Sequence, residues 1–378
     1  MTRALPTEAP ASRRGRILGV DAARAVALVG MFATHIFALR VDGQETLTAQ
    51  VASGRASALF AVLAGVGVAL STGGTRRPDG GLAHLSAAAG LLVRGVLVGA
   101  LGLTLVALDP PVAVILAYYG LLFVVATPLL RLPVAVLAAG AVLACAVTPV
   151  VSQWVRAGLP DGYPDQPGWS APADPGALLV TLGLTGSYPV LTWTTYLLAG
   201  MAVGRLDLGR TWVAAALFAG GTALAVAAHA VSALLLGAGG AAALGGEVTR
   251  RHHGSTPVDS WWWLAVDSPH SGTPLDLAAT VGSALAVLGA MLLLARVARP
   301  LVLVPAAVGA APLTLYTLHV IAVTVHPGRG PDDTVVWVGN VLGATLVGVL
   351  LWRAGARGPL ETVLAAAGRA ARRAVGGP

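Results

Sequence analysis

The sequence has no lysine: all 24 of its basic residues are arginine. Charge of either sign is scarce, at 11% of 378 residues, against 56% hydrophobic residues and a mean hydropathy of +0.78. So little charge excludes the soluble globular classes. One cysteine, Cys145, lies in an apolar run. That excludes an intrachain disulfide and any metal site built on several thiolates, and it leaves the redox compartment open. There is no HExxH, no GxSxG elbow and no Walker-type phosphate loop, so the enzyme chemistries those motifs mark have no footing. A net charge of +7 and a pI near 10.4 would suggest nucleic acid if the arginines gathered in one domain. They are dispersed, and no nucleic-acid partner is expected.

Apolar runs long enough for a bilayer of about 30 Å recur near 18–39, 56–72, 85–108, 112–130, 132–155, 188–204, 211–237, 274–295, 300–323 and 334–352. The expected fold is therefore an all-α polytopic integral membrane protein of about ten transmembrane helices. Charge placement orients it. With both termini cytoplasmic, the inner segments hold 17 arginines against four acidic residues, and the outer segments six against twelve, as the positive-inside rule requires. The expected division is a cytoplasmic tail at 1–16, one transmembrane domain at 17–355 with long outer loops at 156–187 and 238–273, and a cytoplasmic amphipathic tail at 356–378. The first run is interrupted by Asp21, Arg24 and His35 and lacks an evident cleavage site, so it reads as an uncleaved span. GPLE at Gly358–Glu361 carries helix-start signals, and a short interfacial helix is expected after it. Seven of nine tryptophans fall at or near the outer side, an aromatic surface suited to headgroups or sugars. Five spans followed by five would invert the second half, as in several transporters, although no internal repeat is visible.

The first run, GVDAARAVALVGMFATHIFAL, holds the strongest signal. Eleven residues separate Arg24 from His35, roughly 16 Å along a helix and about 20° from alignment. Asp21 lies one turn before Arg24. The three groups form a polar stripe within an arc of about 60°. A charged group mid-membrane costs about 2.5–3.5 kcal/mol on insertion scales, so the stripe is expected to face a cavity formed with the outer ends of the second and ninth spans. His319, in PLTLYTLHV, lies at a depth similar to His35, and the two are expected to converge. His229 reads as structural. His252, His253 and His270 with Asp259 and Asp267 match no strong zinc spacing, and no metal is expected.

VDAAR with His35 eleven residues after Arg24 resembles the first span of the transmembrane acyltransferase superfamily, which groups the acyltransferase-3 proteins with the heparan-α-glucosaminide N-acetyltransferase-like proteins. GRASALFAVLAGVGVAL, with Arg55, Phe60 and Gly65, is similar to the second span of bacterial members of the latter group; PLTLYTLHV and GPLE look like its C-terminal region. The resemblance implies a plasma-membrane acyltransferase that takes an acyl group, usually acetyl, from cytoplasmic acyl-CoA to a hydroxyl or amine of an extracytoplasmic glycan or lipid-linked acceptor. It implies a site with His35, Asp21 and His319 as catalytic residues and Arg24 and Arg55 on acetyl-CoA, the acyl donor. His35 would act as general base or transient acyl carrier. A homo-oligomer is compatible with it. A reading of a different class is a proton-coupled transporter or exporter whose path is lined by the first-span stripe, with His35 as proton relay.

Overall fold

The computed structural model describes residues 16–160, 162–249, 252–327 and 333–376. The tail expected at 1–16 therefore falls outside the described residues, except Arg16. All ten apolar runs fold as helix. From α1 (Leu18–Ile36) the chain passes through a small hairpin, β1 (Arg40–Val41) and β2 (Gln44–Glu45), and α2 (Leu47–Ala52) into α3 (Arg55–Ser71). Next come α4 (Gly80–Val106), α5 (Leu116–Ala126) with a 3-10 turn to Arg131, α6 (Val134–Arg156), α7 (Pro175–Val180), α8 (Val190–Gly204) and α9 (Thr211–Leu235). α10 (Ala241–Ala243), α11 (Pro274–Val297), α12 (Arg299–Val308), α13 (Pro312–Val325), α14 (Asp333–Arg353) and α15 (Pro359–Ala374) complete the order.

Among the described residues, seven helices are long and apolar enough to cross a membrane. Two of the remaining runs are short: Leu116–Arg131 and Val190–Gly204. The last, expected as one span over 300–323, is broken into α12 and α13, bent by 62°. Pro312 causes the break. It has no N–H for a continuing helix and drives the residue before it out of the helical region; Ala311 accordingly sits at φ −128°, ψ 51°, and Pro312 becomes the first residue of α13. The bend falls where α12 crosses α1, so closely that a Cβ on Gly309 would collide with the Asp21 carbonyl.

Close backbone approach elsewhere rests on small residues, the usual device for helices in lipid. On α3, a Cβ on Gly65 would strike the Leu197 carbonyl of α8, and one on Gly200 of α8 would strike that of Val62. Arg205, just past α8 and 5% exposed, ties the same end of the bundle together. It donates to the carbonyls of Ala69, Thr72, Gly74 and Leu130 at 2.7–3.3 Å. Burial pulls its pKa below the ordinary arginine value, while the carbonyl dipoles at these chain ends favour the cation.

The two long connections are fastened rather than loose. Asp165 O accepts from Tyr118 Oη at 2.6 Å and from Ser187 N at 2.9 Å. Arg156 Nη1 reaches Thr256 O at 2.6 Å, and Gln153 Nε2 reaches Ser260 O at 2.7 Å. α15, expected on the membrane surface, packs on α4 with Leu364 and Gly368 buried. We call the end of the bundle near α15 the tail end, and the end bearing the long connections the loop end.

Candidate active site

The first-span stripe divides between two cavities instead of lining one. At the tail end, Arg24 and Arg94 project from α1 and α4 into a cavity of about 770 Å³, with Glu361 of α15 opposite. Asp21, 4% exposed, holds Arg24 through a 2.7 Å ion pair and is reached by Arg16 at 3.4 Å. Gly67 leaves room for the Arg24 guanidinium, 3.3 Å from where a Cβ would stand. Arg94 lies 5.4 Å from the Phe123 ring centroid, within cation–π range. No carboxylate of the described residues is within ion-pair distance of it. Glu361 is clamped to the α13 N-terminus. Its Oε1 accepts from Leu313 N and Thr314 N at 2.7 and 3.1 Å, and its Oε2 from Thr314 Oγ1 at 2.6 Å. A carboxylate there satisfies amides that have no partner inside the helix and meets the positive end of its dipole.

At the loop end His35 lines an open cavity of about 870 Å³. The predicted convergence is present: His35 Nδ1 is 3.0 Å from His319 Nε2. His319, 2% exposed, continues through Nδ1 to Asn340 Oδ1 at 2.9 Å, and Asn340 Nδ2 donates to Val336 O at 2.9 Å. This chain assigns the tautomers. With the Asn340 amide oriented to donate to a carbonyl, its oxygen must accept, so His319 carries its proton on Nδ1. His319 Nε2 then accepts from His35 Nδ1, and Nε2 of neutral His35 is the basic nitrogen. Phe32 stacks on His319 at 4.0 Å between centroids and fixes the ring plane.

His252, His253 and His270 also line this cavity. They come from the loop around 238–273, whose histidines carry no readable spacing in the sequence. No arginine or carboxylate of the described residues lines it.

An aromatic partition separates the cavities. Phe60 stacks with Tyr119 at 5.8 Å and with Tyr316 at 6.4 Å. Tyr316 faces the loop-end cavity, and Phe60 and Tyr119 the tail-end one. The wall is thin: Ile115 borders one cavity and Leu116 the other. Tyr119, 3% exposed, has a buried hydroxyl without a hydrogen-bond partner among the described residues.

Arg55, grouped with Arg24 at the outset, is elsewhere. It opens α3 in a separate loop-end cavity and donates to His229 Nε2 at 3.2 Å. Sequence reasoning missed Arg94, Asn340, Tyr119 and the role of Glu361. Only Arg94 left a signal, an arginine inside an apolar run.

Comparison with known families gives a match. The family model described as heparan-alpha-glucosaminide N-acetyltransferase, catalytic, matches residues 16–235. His319, Asn340 and Glu361 lie beyond that span. No curated protein matches the chain.

Proposed function

The chain belongs to the heparan-alpha-glucosaminide N-acetyltransferase catalytic family, and from that premise we propose that it moves an acyl group, acetyl foremost, from acyl-CoA in the tail-end cavity to an acceptor in the loop-end cavity. The acceptor is a hydroxyl or amine of a glycan or of a lipid-linked molecule. The observation that carries this reading is the pair of cavities, one arginine-lined and one histidine-lined, meeting at a single aromatic partition. In this reading residues 17–355 form one ten-crossing domain of the plasma membrane with the tail end cytoplasmic, an orientation the arginine asymmetry supports.

The tail-end residues fit an anionic donor. Arg24 and Arg94 supply fixed positive charge for phosphates, and the Tyr119 hydroxyl is a donor in want of an acceptor such as a thioester carbonyl. Acyl-CoA supplies an activated acyl carbon. His35 Nε2 takes the proton from the acceptor as its oxygen or nitrogen bonds that carbon. The carbon–sulfur bond of the thioester breaks, CoA leaves through the tail-end cavity as a thiolate that takes a proton from water, and His35 returns its proton to water at the loop end. His319 and Asn340 hold His35 in the tautomer the step needs, and Asp21 orients Arg24.

The transport reading wants a broken helix in each half. Among the described residues there is one bent pair, α12 with α13, so no specific observation favours it.

The test is sidedness. Sealed vesicles of both orientations are given labelled acetyl-CoA on the outside. Label should reach acceptor only where the tail end faces the donor. Transfer with donor and acceptor confined to the loop end would overturn the reading.

A further inference from the structure

α13 borders both cavities and carries half of the histidine relay. Pro312 and Leu313 line the tail-end cavity, Tyr316 lines the loop-end one, and His319 follows a turn later beside His35. The 62° bend from α12 leaves the first turn of α13 without a preceding helix, so its amides need partners from elsewhere. Pro312 has no N–H, and Leu315 N bonds back to Ala311 O at 3.0 Å. Leu313 N and Thr314 N remain, and Glu361 Oε1 accepts from both.

The cap is mutual. Thr314 Oγ1 donates to Glu361 Oε2 at 2.6 Å and accepts from Leu360 N at 3.3 Å, so α13 and α15 each satisfy the other's first turn. Gly358 is fitted to this contact, because a Cβ there would run into both Glu361 Oε2 and Thr314 Oγ1. Thr314 is 7% exposed, and loss of the carboxylate would strand buried donors. Yet the same carboxylate stands with Arg24 and Arg94 in a cavity suited to an anion, where its charge weakens the hold on one. Glu361 thus trades anion affinity for a fixed α13.

We propose that Glu361 is a positioning residue for the histidine relay, acting on His35 through α13 and His319. The inference rests on the acyl-transfer reading above. From Thr314 to His319 the helix rises roughly 7.5 Å, and a rigid element passes a displacement at one end to the other. The clamp therefore sets the depth and rotation of His319, and of Tyr316, whose ring stacks on Phe60 in the partition at 6.4 Å.

The test uses the purified full chain with labelled acetyl-CoA as donor and glucosamine as the acceptor probe. Glu361→Ala should lower kcat by about ten- to a hundredfold, the scale on which a misplacement of about 1 Å is felt, while calorimetry shows acetyl-CoA bound a few-fold tighter. Glu361→Gln keeps an oxygen for the two amides. Its kcat should return to within a few-fold of the wild type, with the tighter donor binding retained. Gly358→Ala disturbs the clamp with the carboxylate charge still present, so kcat should fall as in Glu361→Ala without the gain in affinity. Full kcat in both Glu361→Ala and Gly358→Ala, or an equal fall in Glu361→Ala and Glu361→Gln, overturns the proposal. So does a joint loss of kcat and donor affinity in Glu361→Ala, the mark of general damage to the fold. If the wild type acylates no glucosamine, the acyl-transfer reading fails on its own, and the clamp is judged by nitrogen NMR of labelled histidine rings. His319 should hold its proton on Nδ1 in the wild type and in Glu361→Gln, and should average between tautomers in Glu361→Ala. A His319 signal unchanged in Glu361→Ala overturns the clamp.

Discussion

The two cavities that meet at the aromatic partition are built from opposite electrostatics. Among the described residues, the tail-end cavity is lined by two arginines, one glutamate and no histidine. The loop-end cavity is lined, among the described residues, by four histidines and by neither arginine nor carboxylate. Guanidinium keeps its charge at any working pH, whereas imidazole changes charge near neutrality. One end is therefore suited to holding an anion and the other to moving a proton. Each substitution should disturb one of these tasks and spare the other.

The largest effect belongs to the proton-moving end. His35→Ala should lower kcat by about 10² to 10⁴, the usual worth of general base catalysis, while thermal stabilisation by acetyl-CoA persists. Equal loss of donor binding would erase the distinction between the cavities.

Next in size is the anion-holding end. Loss of one charge-assisted contact costs roughly 1.5–3 kcal/mol, about ten- to a hundredfold in donor affinity. Arg94→Ala reads this cleanly, because it breaks no ion pair among the described residues. Arg24→Ala should cost the same contact and also stability, since buried Asp21 would keep, among the described residues, only Arg16 at 3.4 Å. Titration calorimetry with acetyl-CoA, beside melting curves, separates the two. Equal destabilisation by both variants would contradict the pairing described above.

How far the sequence could show this division differs by residue. The stripe of Asp21, Arg24 and His35 was legible because helix period converts spacing directly into a shared face. The meeting of His35 with His319 was legible from matched depth in two spans. The split into two cavities was not, since its partition takes Phe60, Tyr119 and Tyr316 from three helices far apart in sequence. Glu361 read only as a helix-start residue, yet its carboxylate serves another helix, α13. Pro312 was visible, but hydropathy stays high across 300–323 and hides the backbone break. Asn340 is one amide in an apolar run, and nothing local pairs it with His319.

That amide gives a smaller effect. Asn340→Ala removes the acceptor that sets the His319 tautomer, and through it His35. One hydrogen bond is worth about 0.5–1.5 kcal/mol, so kcat should fall by up to about tenfold with donor affinity kept. Asn340→Asp, which restores an acceptor, should recover part of the loss. If both variants fall alike, the amide acts by packing and the relay does not set the base.

The smallest effect tests the partition itself, and its sign is more telling than its size. Tyr119 carries a buried hydroxyl with no partner among the described residues, and such a group costs a folded protein about 1–3 kcal/mol. Tyr119→Phe should therefore raise the melting temperature of the donor-free protein. If that hydroxyl serves the donor, the same variant should show a smaller stabilisation by acetyl-CoA and a few-fold higher KM for it, with kcat for a saturated donor nearly kept. The two shifts run in opposite directions, which a packing role cannot produce, because lost packing lowers the melting temperature with or without donor. A donor-free melting temperature that falls in Tyr119→Phe would mean that the hydroxyl is satisfied within the fold, and the tail-end cavity would then hold its donor through Arg24 and Arg94 alone.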